Sequence, residues 1–157
     1  MSKTRIAGVQ GRRVWDSRGR PTVEVDVTLE GGAMGRAIAP AGASRGSAEA
    51  VDLRDGGDAF GGLDVRRAIA GIGAEISNVL VGLDSREQEV VDGALVSLDD
   101  TENKARLGGN ATVAVSMATA HAAANVIGVP LWQYLGGNNA GPMPLPEIQI
   151  FGGGAHA

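Results

Sequence analysis

The chain has 157 residues, 43% of them hydrophobic but only 3% aromatic, and a formal net charge of −4. That length suits one domain or a little more, with valine, isoleucine, leucine and alanine filling the core. The lack of cysteine excludes a disulfide framework and thiolate zinc sites, and no basic stripe runs along the chain to follow nucleic acid. No run of about 18 apolar residues is present to span a membrane, and the N-terminus lacks an apolar h-region. No signal peptide is therefore expected, and the default is a soluble cytoplasmic protein.

In chain order, "TRIAGVQGRRVW" reads as a first strand and "DSRGRP" as the turn after it. "PTVEVDVTLEGG" carries the clearest local signal. Val23, Val25, Val27 and Leu29 alternate with Glu24, Asp26, Thr28 and Glu30, which predicts a strand with one buried and one wet face. Gly31-Gly32 turns the chain into a third short strand, "AMGRAIA", stopped by Pro40. Three consecutive strands with short connections predict an antiparallel meander. The next run, "IAPAGASRGSAEA", is bare of large side chains. Composition alone leaves it either a surface crossing or a loop that closes over something.

Beyond residue 60 the hydrophobic period lengthens. "LDVRRAIAGIGAEISNVLVGL" places Val65, Ile69, Ile72, Ile76, Val79 and Leu80 at helical spacing, with Asp64 able to start the helix. Gly71 and Gly73 weaken such a helix by about 1 kcal/mol each relative to alanine, which predicts close packing there. "DSREQEVVDGALVSL" is a shorter amphipathic helix with Asp84 or Ser85 as its N-cap. The acidic "LDDTEN" reads as a solvated helix terminus. "NATVAVSMATAHAAANVI", bounded by glycines and followed by Pro130, is a third helix of mostly alanine-sized side chains, and "PLWQYLGG" a short fourth. The tail then passes three prolines into an apolar, strand-like "EIQIF". The fold class is α+β, a three-stranded antiparallel meander followed by about four helices. Residues 1–140 are expected to form this domain. Residues 141–157 are expected to be a linker and the first strand of another, since Ile148, Ile150 and Phe151 would be wasted on a frayed tail.

Taken singly, the candidate functional residues are weak. Ser44 in a glycine- and alanine-rich loop is most often an ordinary loop serine. His156, beside three glycines, sits where a backbone can approach a ligand and an imidazole can donate to an anion, yet a histidine near a chain end is as often idle. His121, within the alanine-rich helix, reads as structural or exposed. There is no P-loop, dinucleotide fingerprint, HExxH or Ser-His-Asp pattern.

Together the motifs resemble one family. "WDSRGRPTVEVDV", "APAGASRGSAEAVDLRDGG", "LDDTENKARLGGNATVAVSMATAHAAA", "VPLWQYLGG" and "MPLPEIQIFGGGAHA" are similar, in that order and at matching separations, to segments of enolase (phosphopyruvate hydratase), from its N-terminal domain into the start of its barrel. The resemblance runs from about residue 5 to residue 157. It implies reversible, Mg²⁺-dependent dehydration of 2-phosphoglycerate to phosphoenolpyruvate. By the same resemblance Ser44 would bind a second magnesium ion. Gly42 and Ala43 would lie in the substrate-facing loop, with Gly42 and Gly46 as its hinges, and His156 would reach the substrate phosphate. No catalytic residue is expected among these 157, because the lysine base, the glutamate that assists the leaving hydroxide and the primary metal carboxylates belong to the family's (β/α)₈ barrel. The chain alone is therefore expected to be inactive. The expected partners are a small phosphorylated carboxylate and other copies of the protein in a homo-oligomer, with Arg18 and Glu24 in the contact region. Arg45, Gln149 and Gly152 depart from the family pattern. They favour, as an alternative, a paralogue acting on another phospho- or phosphono-carboxylate; a non-catalytic isolated domain is the reading of a different class.

Overall fold

The computed structural model describes residues 3–39, 41–42, 46–137 and 141–152. Strands β1 (Ile6–Trp15), β2 (Pro21–Leu29) and β3 (Met34–Ala39) form one antiparallel sheet in the order β1-β2-β3, the meander that the sequence predicts. The first hairpin is closed by Asp16, whose Oδ1 accepts the backbone N–H groups of Arg18 and Arg20 at 2.8 Å each. The second closes through Gly32, whose φ of 84° suits glycine.

One sheet face buries Val23, Val25, Val27 and Leu29 beneath α4 (Gly109–Ile127). The alanine-rich composition of α4 has a direct structural reason. A Cβ built on Gly35 of β3 would lie 2.1 Å from the carbonyl oxygen of Ala118 and 2.2 Å from the amide nitrogen of Ala122. Helix backbone and strand backbone touch here, and only small residues on both sides allow it.

The opposite face is drier than its alternation predicts. Glu24 is only 9% exposed and Thr22 is buried. Arginines from the flanking strands lie across the carboxylates: Arg12 pairs with Glu24 and, at 2.7 Å, with Asp26. Arg36 reaches Asp26 at 2.6 Å. These two guanidinium groups, Arg36 first, hold the Asp26 pKa down at about 2.

The first predicted helix is realised as α1 (Arg66–Gly71), a π turn (Ile72–Ile76) and α2 (Ser77–Leu80) following one another without a break. Three details differ from expectation. Asp64 does not cap it; the N–H groups of Arg66 and Arg67 are accepted by the Asp55 carboxylate at 2.9 and 3.0 Å. Asp64 is buried and accepts from Arg13 at 3.0 Å and from the Val65 amide. Burial alone would raise its pKa, but these donors hold it below the ordinary value. Of the two glycines, a Cβ on Gly71 would approach Leu107 at 3.3 Å, whereas Gly73 faces open space. Val79 is exposed.

Helix α3 (Gln88–Asp99) starts after Glu87, so neither Asp84 nor Ser85 is its N-cap. Asp84 instead accepts from the Thr4 hydroxyl and from Arg86, tying the N-terminal segment down; the Arg86 contact keeps its pKa well below the usual carboxylate range. Nor is "LDDTEN" a solvated end at its second residue. Asp99 is 1% exposed and accepts the amides of Leu107 at 2.7 Å and Thr101 at 3.1 Å, together with the Thr101 hydroxyl.

Helix α5 (Leu131–Gly136) packs on α4. The expected "EIQIF" strand is absent among the described residues. Ile148 and Phe151 are 81% and 91% exposed, with no paired strand beside them. A strand exists only where a neighbour takes its backbone hydrogen bonds, and no described segment does so. No described helix is long and apolar enough to cross a membrane.

Candidate functional site

The bare run after β3 leaves and re-enters the fold at firmly held points. On the incoming side the Thr22 hydroxyl donates to the Ala39 carbonyl at 2.9 Å, and Arg18 donates to the Ala41 carbonyl at 3.3 Å. On the outgoing side Glu49 folds back to accept the Gly46 amide at 2.7 Å. Residues 51–55 then form a strap without regular secondary structure but bonded at nearly every position.

Val51 donates to the Asn103 carbonyl at 2.8 Å and accepts from the Gly109 amide at 2.7 Å. Leu53 exchanges two hydrogen bonds with the side chain of Asn110, its N–H to Oδ1 at 3.2 Å and its C=O from Nδ2 at 3.1 Å. The asparagine amide thus substitutes for a neighbouring strand. Arg54 donates from one terminal nitrogen to the carbonyls of Pro21 and Leu63 at 2.5 and 2.7 Å, and from Nε to Asp52 at 2.8 Å. Gly108, at φ 96°, packs so tightly that a Cβ there would lie 2.5 Å from that of Leu53.

Between these lips lies a groove of about 260 Å³, lined on the loop side by Ala41, Gly42, Glu49, Ala50 and Asp52 and on the α4 side by Asn110 and Val113, among others. It presents carboxylates, an amide and exposed backbone at Gly42. Every described carboxylate whose pKa departs from the ordinary value is lowered (Asp16, Asp26, Asp64, Asp84 and Asp99), each by cations or hydrogen-bond donors. None of these is tuned upward to act as an acid near neutrality.

Of the expected site residues, Gly42 lines this groove. Ala43, Ser44, Arg45 and His156 lie outside the described residues. Among the described residues no three histidine, cysteine, aspartate or glutamate side chains converge on a point that could hold a metal.

A model of the family described as "Enolase, N-terminal domain" matches residues 6–135, which takes in the sheet, the loop, the strap and all the helices up to α5. The chain belongs to the enolase N-terminal domain family. This settles the fold expectation, the α+β meander with its following helices, and makes the protein a member of an enzyme family with which lyase chemistry and Mg²⁺ use are compatible. Within this enolase N-terminal domain, reading the sequence by residue missed Asn110, Arg54 and Asp55. Asn110 could have been suspected from its place behind two glycines at a helix start, where a short amide is favoured. Arg54 and Asp55 act on partners 33 and 11 positions away, and no local pattern announces them.

Proposed function

We propose that this chain supplies the N-terminal domain and the active-site loop of a magnesium-dependent enolase-type lyase. The reaction is the reversible dehydration of 2-phosphoglycerate to phosphoenolpyruvate in the cytoplasm. The observation that carries this reading is the family match across residues 6–135, which includes the loop segment and both of its anchors. In the division of labour proposed, a lysine of a barrel domain removes the C2 proton and a glutamate helps hydroxide leave. The present chain contributes positioning: Ser44 from the loop toward a second metal ion, Gly42 and Ala43 toward substrate, and His156 toward the phosphate. Mg²⁺, when bound, stabilises the extra negative charge that proton removal places on the substrate carboxylate.

The enzyme is proposed to act as a homo-oligomer. Arg18 is exposed, its guanidinium donating to the Ala41 carbonyl at 3.3 Å, while Glu24 is engaged by Arg12 and lies near Arg36, so Arg18 is the better placed of the two expected contact residues. A second reading, a paralogue with another phospho- or phosphono-carboxylate substrate, is favoured by Arg45, Gln149 and Gly152. A Cβ on Gly152 would meet the Gln149 side-chain amide at 3.0 Å, so the two departures occupy the same small space.

The test is phosphoenolpyruvate formation from 2-phosphoglycerate with Mg²⁺, followed by ultraviolet absorbance, for the product of the intact gene and for the 157-residue chain alone. Turnover is expected only from the former. A gene product that ignores 2-phosphoglycerate but turns over a phosphonate analogue supports the paralogue, and activity of the short chain alone sinks the proposed division of labour.

A further inference from the structure

The two lips of the groove share one support, and the geometry points to Arg54 as the positioning residue that sets their spacing. The incoming lip hangs from the start of β2, because the Thr22 hydroxyl holds the Ala39 carbonyl at 2.9 Å. The outgoing lip carries Asp52 on the groove wall. Arg54 bridges them: the guanidinium that holds Asp52 at 2.8 Å also holds the carbonyl of Pro21, the residue before Thr22, at 2.5 Å. Its third acceptor, Leu63 O at 2.7 Å, fixes the fork from the far side. Only 14% of the side chain is exposed, so neither water nor an alternative rotamer replaces these bonds readily. A planar fork with donors at fixed angles can hold three acceptors on three segments at once; a lysine ammonium on a flexible stem cannot.

This inference rests on the proposed function for its catalytic meaning, since it treats the groove as facing substrate. Its structural core is separately measurable. In Arg54→Met the amides of Val51 and Leu53, both hydrogen-bonded in the strap, are expected to exchange with deuterium about tenfold faster relative to the sheet-core amides of Val25 and Val27. Arg54→Lys, which keeps the charge beside Asp52, should give a smaller change and serves as the folded variant if methionine prevents folding.

Acceleration by the same factor at all four amides, or none at all, overturns the positioning role and leaves Arg54 an ordinary stabilising residue. In the intact enzyme kcat/KM should fall about tenfold in Arg54→Met, with partial recovery in Arg54→Lys. Local loosening with unchanged kcat/KM equally overturns the role in the reaction. If the wild-type gene product shows no turnover, the proposed function fails on its own account, and the exchange pattern still decides whether Arg54 spaces the two lips.

Discussion

Replacing Gly35 by alanine adds a single methyl group to the strand against which α4 rests. Its Cβ would begin 2.1 Å from the Ala118 carbonyl oxygen and 2.2 Å from the Ala122 amide nitrogen. Cβ contacts essentially never fall below 3.0 Å, so the helix or the strand must retreat by at least 0.9 Å. The obstructing atoms are backbone, which cannot rotate away as a side-chain tip can. A retreat of that size along a 19-residue helix opens gaps over much of its contact with β2 and β3, and a radial gap of roughly 0.5–1 Å forfeits a quarter to a half of each dispersion contact. Overpacking commonly costs about 1–3 kcal/mol, and a backbone-on-backbone collision belongs at the upper end, about 3 kcal/mol. For a chain of this length that corresponds to a Tm roughly 6–12 °C lower. Urea and thermal unfolding followed by circular dichroism measure it directly. A Gly35→Ala protein within about 0.5 kcal/mol of wild type would mean that α4 is not seated on β3 in this way, and the account of its alanine-rich face would have to go.

The remaining predictions concern separate parts of the fold. Gly73→Ala, in a helical position with open space around it, should stabilise the protein by up to about 1 kcal/mol; a lower urea midpoint contradicts this. Asn110→Ala strands the buried N–H and C=O of Leu53 and should cost about 2–4 kcal/mol, so an unchanged unfolding midpoint refutes the strand-like role of that amide. Because Arg36 and Arg12 lower the folded pKa of Asp26 from 3.8 to about 2, its contribution is complete above about pH 4 and is lost as the pH falls from there towards 2. After solvent screening of the half-exposed arginines it is on the order of 1 kcal/mol. The difference in urea midpoint between wild type and Asp26→Asn should therefore shrink over that interval, and a constant difference argues against it. In the intact enzyme Ser44→Ala should raise the Mg²⁺ concentration needed for half-maximal activity, and an unchanged Mg²⁺ dependence removes Ser44 as a metal ligand.

What could be read from the sequence follows from how far each interaction reaches. Strand β2 announces itself because Val23, Val25 and Val27 share a face by simple alternation, and α4 because a long small-residue run is framed by Gly108 and Gly128. Both signals are local. The cap of α1 is not legible locally, because Asp64 stands in the expected place while the acceptor of the Arg66 and Arg67 amides, Asp55, arrives from the strap. Asp99 looked solvated because its donors, notably the Leu107 amide eight residues on, come together only when the chain folds back. The dry outer face of the sheet likewise depends on register, which sets Arg12 opposite Glu24 and Arg36 opposite Asp26. For the groove, the glycine-rich loop was visible, but its supports Arg54 and Asn110 are isolated polar residues whose roles depend on partners from other elements.

The strap also bears on the order of events in folding. Its hydrogen-bond partners include Pro21, Leu63, Asn103 and Asn110, contributed by segments scattered along most of the chain. The bond to Pro21 requires the start of β2 to be in place, and those to Asn103 and Asn110 require the N-terminal end of α4 and the segment leading into it, so residues 51–55 are expected to complete their bonding late in folding. Interactions absent from the transition state govern escape from the native state rather than arrival in it. Substitutions in the strap should accordingly steepen the loss of native protein with time while leaving the refolding half-time almost as it was.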